Sequence, residues 1–172
     1  MRGLAALLAL AALAACKPPP TDETLTRAAP ASEPSFASAP LPSPETGGAV
    51  WAPSARRENR LVYGIPGEPA LLALACERDS GTLTVTRFSH ADEGAQAMLA
   101  FIGNGHVGRL PVDAIEDGEG RVWQGTHAAL SEEWDPFTGP RKLTATLPGA
   151  GLVTLNPSPL PMDLVARCRA EG

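Results

Sequence analysis

Leu72-Ala73-Leu74-Ala75-Cys76-Glu77-Arg78-Asp79-Ser80-Gly81-Thr82-Leu83-Thr84-Val85-Thr86-Arg87-Phe88 decides the fold. Leu72, Leu74 and Cys76 alternate with Ala73 and Ala75, the period of two that turns one face of a strand inward. Asp79-Ser80-Gly81 supplies turn chemistry. The alternation then resumes, with Leu83, Val85 and Arg87 on one face and Thr84, Thr86 and Phe88 on the other. Two strands joined by a short polar turn read as an antiparallel hairpin.

Working outward, the same grammar repeats. Residues 61–65 are short and β-prone and are stopped by Pro66-Gly67. Residues 98–102 and 106–112 flank Gly103-Asn104-Gly105, a tight hairpin turn. Further strands are predicted at 121–127, 142–147 and 152–155, with Pro148-Gly149-Ala150-Gly151 turning between the last two. Residues 162–169 read as a short helix or an edge strand. Seven to eight short strands between Gly/Pro-rich turns predict an all-β or mainly β domain, a small antiparallel sandwich or barrel, with at most one short C-terminal helix. There is no βαβ rhythm and no internal repeat.

This domain is expected over 51–172, a length that suits a single core. It holds seven of the eight aromatics and carries 11 basic and 15 acidic residues. That balance is not the basic footprint of a nucleic-acid binder. Residues 17–50 differ: eight of 34 are Pro, most of the rest are Ala, Ser, Thr and Glu, and Phe36 is the one aromatic. Such a segment buries too little apolar surface to offset its ordering entropy, so 16–50 is expected to be a disordered tether. Its reach in the polyproline II limit of about 3.1 Å per residue is on the order of 100 Å. Its PxxP-like spacing also suits a partner's groove, although a spacer is the commoner use.

Ahead of the tether, Arg2 precedes a run of 12 Leu and Ala residues, 4–15. One positive charge before a short apolar run is the layout of a secretory signal. As a helix it would rise about 18 Å, too short for a hydrocarbon core of roughly 30 Å. Leu13-Ala14-Ala15-Cys16 resembles the lipobox of bacterial lipoproteins, a match confined to the first 16 residues. The resemblance implies removal of the signal peptide 1–15, acylation of Cys16 and anchoring of the protein in a membrane by several acyl chains, palmitate among them. Two or more chains anchor stably where one does not. Lys17, rather than Asp, follows the cysteine; in enteric members of that family this favours the outer membrane, facing the periplasm. The alternative is ordinary cleavage after Ala15, leaving a free thiol.

With Cys16 lipidated, Cys76 and Cys168 remain, an exported compartment permits disulfides, and the two are predicted to pair; the alternative is two separately buried thiols. No CxxC points to a redox or zinc motif. His90, His106 and His127 show no metal-ligand spacing, so no metal and no cofactor is expected. The acidic stretch 113–120 fails the calcium-loop pattern because Ile115 holds its third position; it reads as a solvated turn. No GxSxG is present, and a triad of Ser80 or Ser89 with His90 or His127 has no motif behind it. The candidate binding surface is the loop 131–141, where Trp134 and Phe137 sit among Glu132, Glu133 and Asp135. Exposed Trp ringed by polar residues is interface composition; the alternative is that both aromatics fold back to cap one end of the domain. Trp123, inside a strand, reads as core.

These readings predict an anchored envelope lipoprotein whose domain is a non-catalytic binding or structural module. Its partners would be the membrane, through Cys16, and an envelope protein or the cell wall. A periplasmic hydrolase or a small-ligand carrier on the same fold are the alternatives.

Overall fold

The computed structural model describes residues 38–118 and 120–171, which belong to one compact unit. The expected signal peptide 1–15, the expected lipidation site Cys16 and the expected tether up to residue 37 lie outside the described residues. Nine strands form one antiparallel sheet: β1 (Val50–Pro53), β2 (Arg60–Gly64), β3 (Leu72–Glu77), β4 (Thr82–Arg87), β5 (Gln96–Gly103), β6 (His106–Asp117), β7 (Gly120–Ala128), β8 (Leu143–Thr146) and β9 (Leu152–Leu155). The spatial order is β1-β2-β3-β4-β7-β6-β5-β8-β9. The sheet curls into a nearly closed barrel, and helix α1 (Leu160–Glu171) packs on it.

The mainly β expectation holds, and the 72–88 hairpin forms with Cys76 opposite Leu83 and Leu72 opposite Arg87. The C-terminal segment is the helix of the two options. Two local readings need correction. The acidic stretch from Asp113 is not a loop: β6 runs on to Asp117 and pairs with β7 through Asp117 opposite Gly120. Strand β1 went unpredicted because Val50-Trp51-Ala52-Pro53 is too short to show a period and ends in Pro.

The domain also begins earlier than residue 51. Residues 38–49, expected in the tether, form a strap along the free edge of β9. Leu41 N–H donates to Gly149 O (2.8 Å), Leu152 N–H to Ser43 Oγ (2.9 Å), and Asn156 Nδ2 to the carbonyls of Thr46 and Ala49 (2.9 and 2.8 Å). Tyr63 Oη adds a bridge from β2: it donates to Thr154 O (2.8 Å) and accepts from Asn156 N–H (3.0 Å). Burial raises the Tyr63 pKa above its ordinary value, against the opposing Asn156 hydrogen bond. The β1–β9 seam is therefore closed by hydroxyls and an amide rather than by a strand ladder. Capping edge N–H and C=O groups in this way removes a template for pairing with another chain.

The barrel is filled. Tyr63, Leu72, Leu74, Leu83, Val85 and Phe101 are each fully buried, part of one continuous cluster. Such an interior leaves no room for the lumen of a ligand carrier.

Candidate functional site

The register separates the barrel into two ends. At one end Cys76 of β3 is bonded to Cys168 of α1, with Cα atoms 5.7 Å apart. A 3-10 helix, Glu132–Phe137, closes the same end. It lies tight on β6 because Gly108 has no side chain; a Cβ there would sit 1.9 Å from Glu133 O.

This 3-10 helix is the segment expected to be a binding loop, and its aromatics point the other way. Trp134 and Phe137 are fully buried. Trp134 Nε1 donates to Ala128 O (3.1 Å), and the Phe137 ring meets Phe101 edge-on at 4.7 Å. Asp135 is held by Arg169 of α1 at 2.8 Å, while that guanidinium also donates to Ala129 O and Ser131 O. Glu133 accepts from the Arg109 backbone N–H, and Glu132 alone stays exposed. The contact-surface expectation for Trp134 and Phe137 is thus replaced by its alternative, a cap. The physical reason is the shortage of large side chains: with eight aromatics in the chain, burying these two is worth more than displaying them.

The opposite end gathers the loops after β2 and β4, the β6–β7 turn and the β8–β9 turn. Arg87, at the end of β4, points inward and is 3% exposed. Its guanidinium donates to Leu71 O (2.9 Å), Phe88 O (3.2 Å) and, across the barrel, Ala150 O (3.1 Å). Burial pushes its pKa down to about 10. On the outer side of the same turn Gly151 (φ +70°) leaves room for the strap; a Cβ there would come within 2.8 Å of Pro42 O. The turn is gripped from inside by Arg87 and from outside by residues 42 and 43.

Where the strap meets this end, Ser38 clasps Asp92 with both its donors. Its backbone N–H donates to Oδ2 (2.9 Å) and its Oγ to Oδ1 (2.6 Å). His90 Nε2 lies 3.5 Å from the same carboxylate. The Ser38 hydroxyl, then its N–H, then His90 hold the Asp92 carboxyl below its ordinary 3.8. A cavity of about 170 Å³ lies between the strap (Ser38, Leu41) and the barrel (His90, Asp92, Trp123, Pro148). On the far side of His90 a broader depression of about 660 Å³ is lined by Glu116, Gly118, Gly120 and Arg121. Arg121 bridges Glu93 (3.3 Å) and Glu116 (3.4 Å). Trp123 stays in the core, 7% exposed, with Nε1 donating to His90 O.

The triads considered from sequence are not assembled. Ser80 Oγ shares a hydrogen bond with Thr82 at the capped end, and Ser89 Oγ, though buried, has no partner. His127 Nε2 meets Pro111 O (2.9 Å) and its ring lies near Trp134. The described residues hold no group of three or more His, Cys, Asp or Glu in metal-binding proximity.

The outer faces of the sheet also differ. Over β4 and β7 the outward residues bond to one another: Thr84 Oγ1 to Thr126 Oγ1 (2.8 Å) and Gln124 Nε2 to Thr86 Oγ1 (3.1 Å). Over β6, β5, β8 and β9 such a bond is found at Gln96 Nε2 to Asp113 Oδ1 (2.8 Å), and beyond it the face turns more apolar. Val107, Ile102, Thr144 and Thr154 stand in one row across four strands, and Arg109, Ala100, Thr146 and Leu152 in the next. Met98 opposite Pro111 extends the patch. Met98, Ile102, Val107 and Leu152 are each 41–48% exposed. Arg109 is the one charge in these rows and forms no ion pair among the described residues. Sequence reading missed this face because each strand alone shows an ordinary outward Met, Ile or Val.

Comparison with known protein families, curated proteins and solved structures finds no match.

Proposed function

We propose that this chain is a lipid-anchored envelope protein whose barrel is a non-catalytic binding module, held at Cys16 in the outer membrane and facing the periplasm. The observation that carries the binding role is the group of exposed apolar side chains Met98, Ile102 and Val107 on the outer face of β5 and β6, with Leu152 beyond a column of threonines. Antiparallel sheets normally turn polar residues to water, and a contiguous apolar patch on an exposed face is the usual mark of an interaction site. The filled barrel interior favours surface recognition over ligand carriage. The lipobox at Cys16 supports the anchor, and Lys17 supports the outer membrane. With the strap belonging to the barrel, 22 positions separate Cys16 from Ser38. In the polyproline II limit of about 3.1 Å each, a tether of that length would reach roughly 70 Å. That range suits an envelope protein or the cell wall as partner.

Two measurements test this. On membrane fractionation the protein should pellet with membranes and the Cys16→Ser variant should not; equal partition of the two would refute the anchor. Formaldehyde crosslinking in cells should capture a partner with the unaltered face and lose it in Ile102→Ser/Val107→Ser. Undiminished capture by that double variant would refute the role of the face.

A further inference from the structure

The clasp at the open end has a chemical identity. Ser38 presents an amide N–H on one carbon and a hydroxyl on the next, and Asp92 takes one donor on each carboxylate oxygen. A 2-acetamido sugar with a free 3-hydroxyl carries the same pair: an amide N–H on C2 and an O–H on the adjacent C3. Beside the carboxylate the barrel's own lining is apolar, with Ala95, Trp123 and Pro148, and His90 also lines the cavity. A carboxylate for the polar edge and a hydrophobic wall for the ring's C–H face are the two demands of a pyranose. With the strap in place the cavity is about 170 Å³; when the strap leaves, Ser38, Ala39 and Leu41 go with it and the lining that remains is His90, Asp92, Ala95, Trp123, Pro148 and Gly149.

We propose that Asp92, His90 and the wall formed by Trp123 and Pro148 make a site for an N-acetylglucosamine unit of a glycan, and that Ser38 occupies it as a built-in substitute ligand.

The strap suits a displaceable occupant. Over 38–43 it is held by the Ser38 clasp, the Leu41–Gly149 bond and the Ser43–Leu152 bond, with no strand ladder. A ligand competing with it binds with an affinity lowered by the fraction of molecules in which the strap is open. The site lies apart from the apolar outer face, so it stands or falls separately from the role proposed for that face.

The test is calorimetric titration of the full-length protein with the tetramer of N-acetylglucosamine, using the tetramer of glucose as control. Ser38→Pro removes both donors at once and should tighten binding about two- to fivefold, because the fraction of molecules with the strap open rises. Asp92→Ala should abolish it, and the glucose tetramer, which lacks the amide, should bind more weakly. In the unaltered protein, saturating sugar should speed hydrogen exchange at the Leu41 amide as the strap leaves. The proposal is overturned if Ser38→Pro and Asp92→Ala respond alike, if both tetramers bind equally, or if Leu41 exchange is unchanged at a saturating concentration.

Discussion

The two ends of this barrel solve the same problem in opposite ways. The capped end is closed covalently and by large rings: the Cys76–Cys168 bond, buried Trp134 and Phe137, and Arg169 tying α1 to the 3-10 helix. The open end is closed by polar groups: Arg87 reaching three carbonyls, and a strap resting on hydroxyl and amide contacts. Aromatic packing and a disulfide give stability that does not depend on what is bound. Polar clasps in contact with water are weak in net terms, because water replaces them at little loss, and they can be exchanged for a ligand. Stability and adaptability are thus placed at different ends of one small core.

Each contrast between the ends can be broken by substitution. The largest effect should come from the disulfide. With its cysteines 92 positions apart in the chain, the chain-entropy model gives a loss of about 4–5 kcal/mol on its removal. Urea unfolding of Cys76→Ser/Cys168→Ser should register most of this. Next is Trp134→Ala, expected to cost about 3–5 kcal/mol as a fully buried ring; a displayed Trp would have been nearly silent in the same titration. Arg87→Met should cost less, about 2–3 kcal/mol, by leaving carbonyls of Leu71, Phe88 and Ala150 without their donor. Its signature should be local, with faster amide exchange in the 147–151 turn and unchanged protection in α1.

The smallest effect is on the strap and depends on pH. The folded pKa of Asp92 lies below 3.8, so its clasp contributes fully above that value and is lost as pH falls through the lower, folded one. Proteolysis between residues 38 and 43 should therefore rise below about pH 4 while the disulfide-bonded end stays intact. Cleavage rates that do not change with pH would show that the clasp does not hold the strap.

The capped end was the more legible in sequence. Alternation located the 72–88 hairpin, and elimination paired Cys76 with Cys168. The direction of Trp134 was not legible, because Ser131-Glu132-Glu133-Trp134-Asp135 reads alike for a display loop and for a 3-10 cap. What settles it is the absence of a side chain at Gly108, 26 positions away in the chain. The open end was nearly invisible. Residues 38–49 have the composition of a linker, and their partners, Asp92, Gly149, Leu152 and Asn156, lie 50 or more residues away, beyond any local pattern. Arg87 showed only as a charge on a predicted inward face, a local inconsistency that marked a real strut.

The most direct test of the division between the ends is photocrosslinking in living cells from three single positions: His90 at the open end, Ile102 on the apolar face and Arg167, exposed on α1 at the capped end. We expect adducts with a specific envelope component from His90 and Ile102 and none from Arg167. Capture confined to Arg167 would contradict the account, because recognition would then lie at the end assigned to stability.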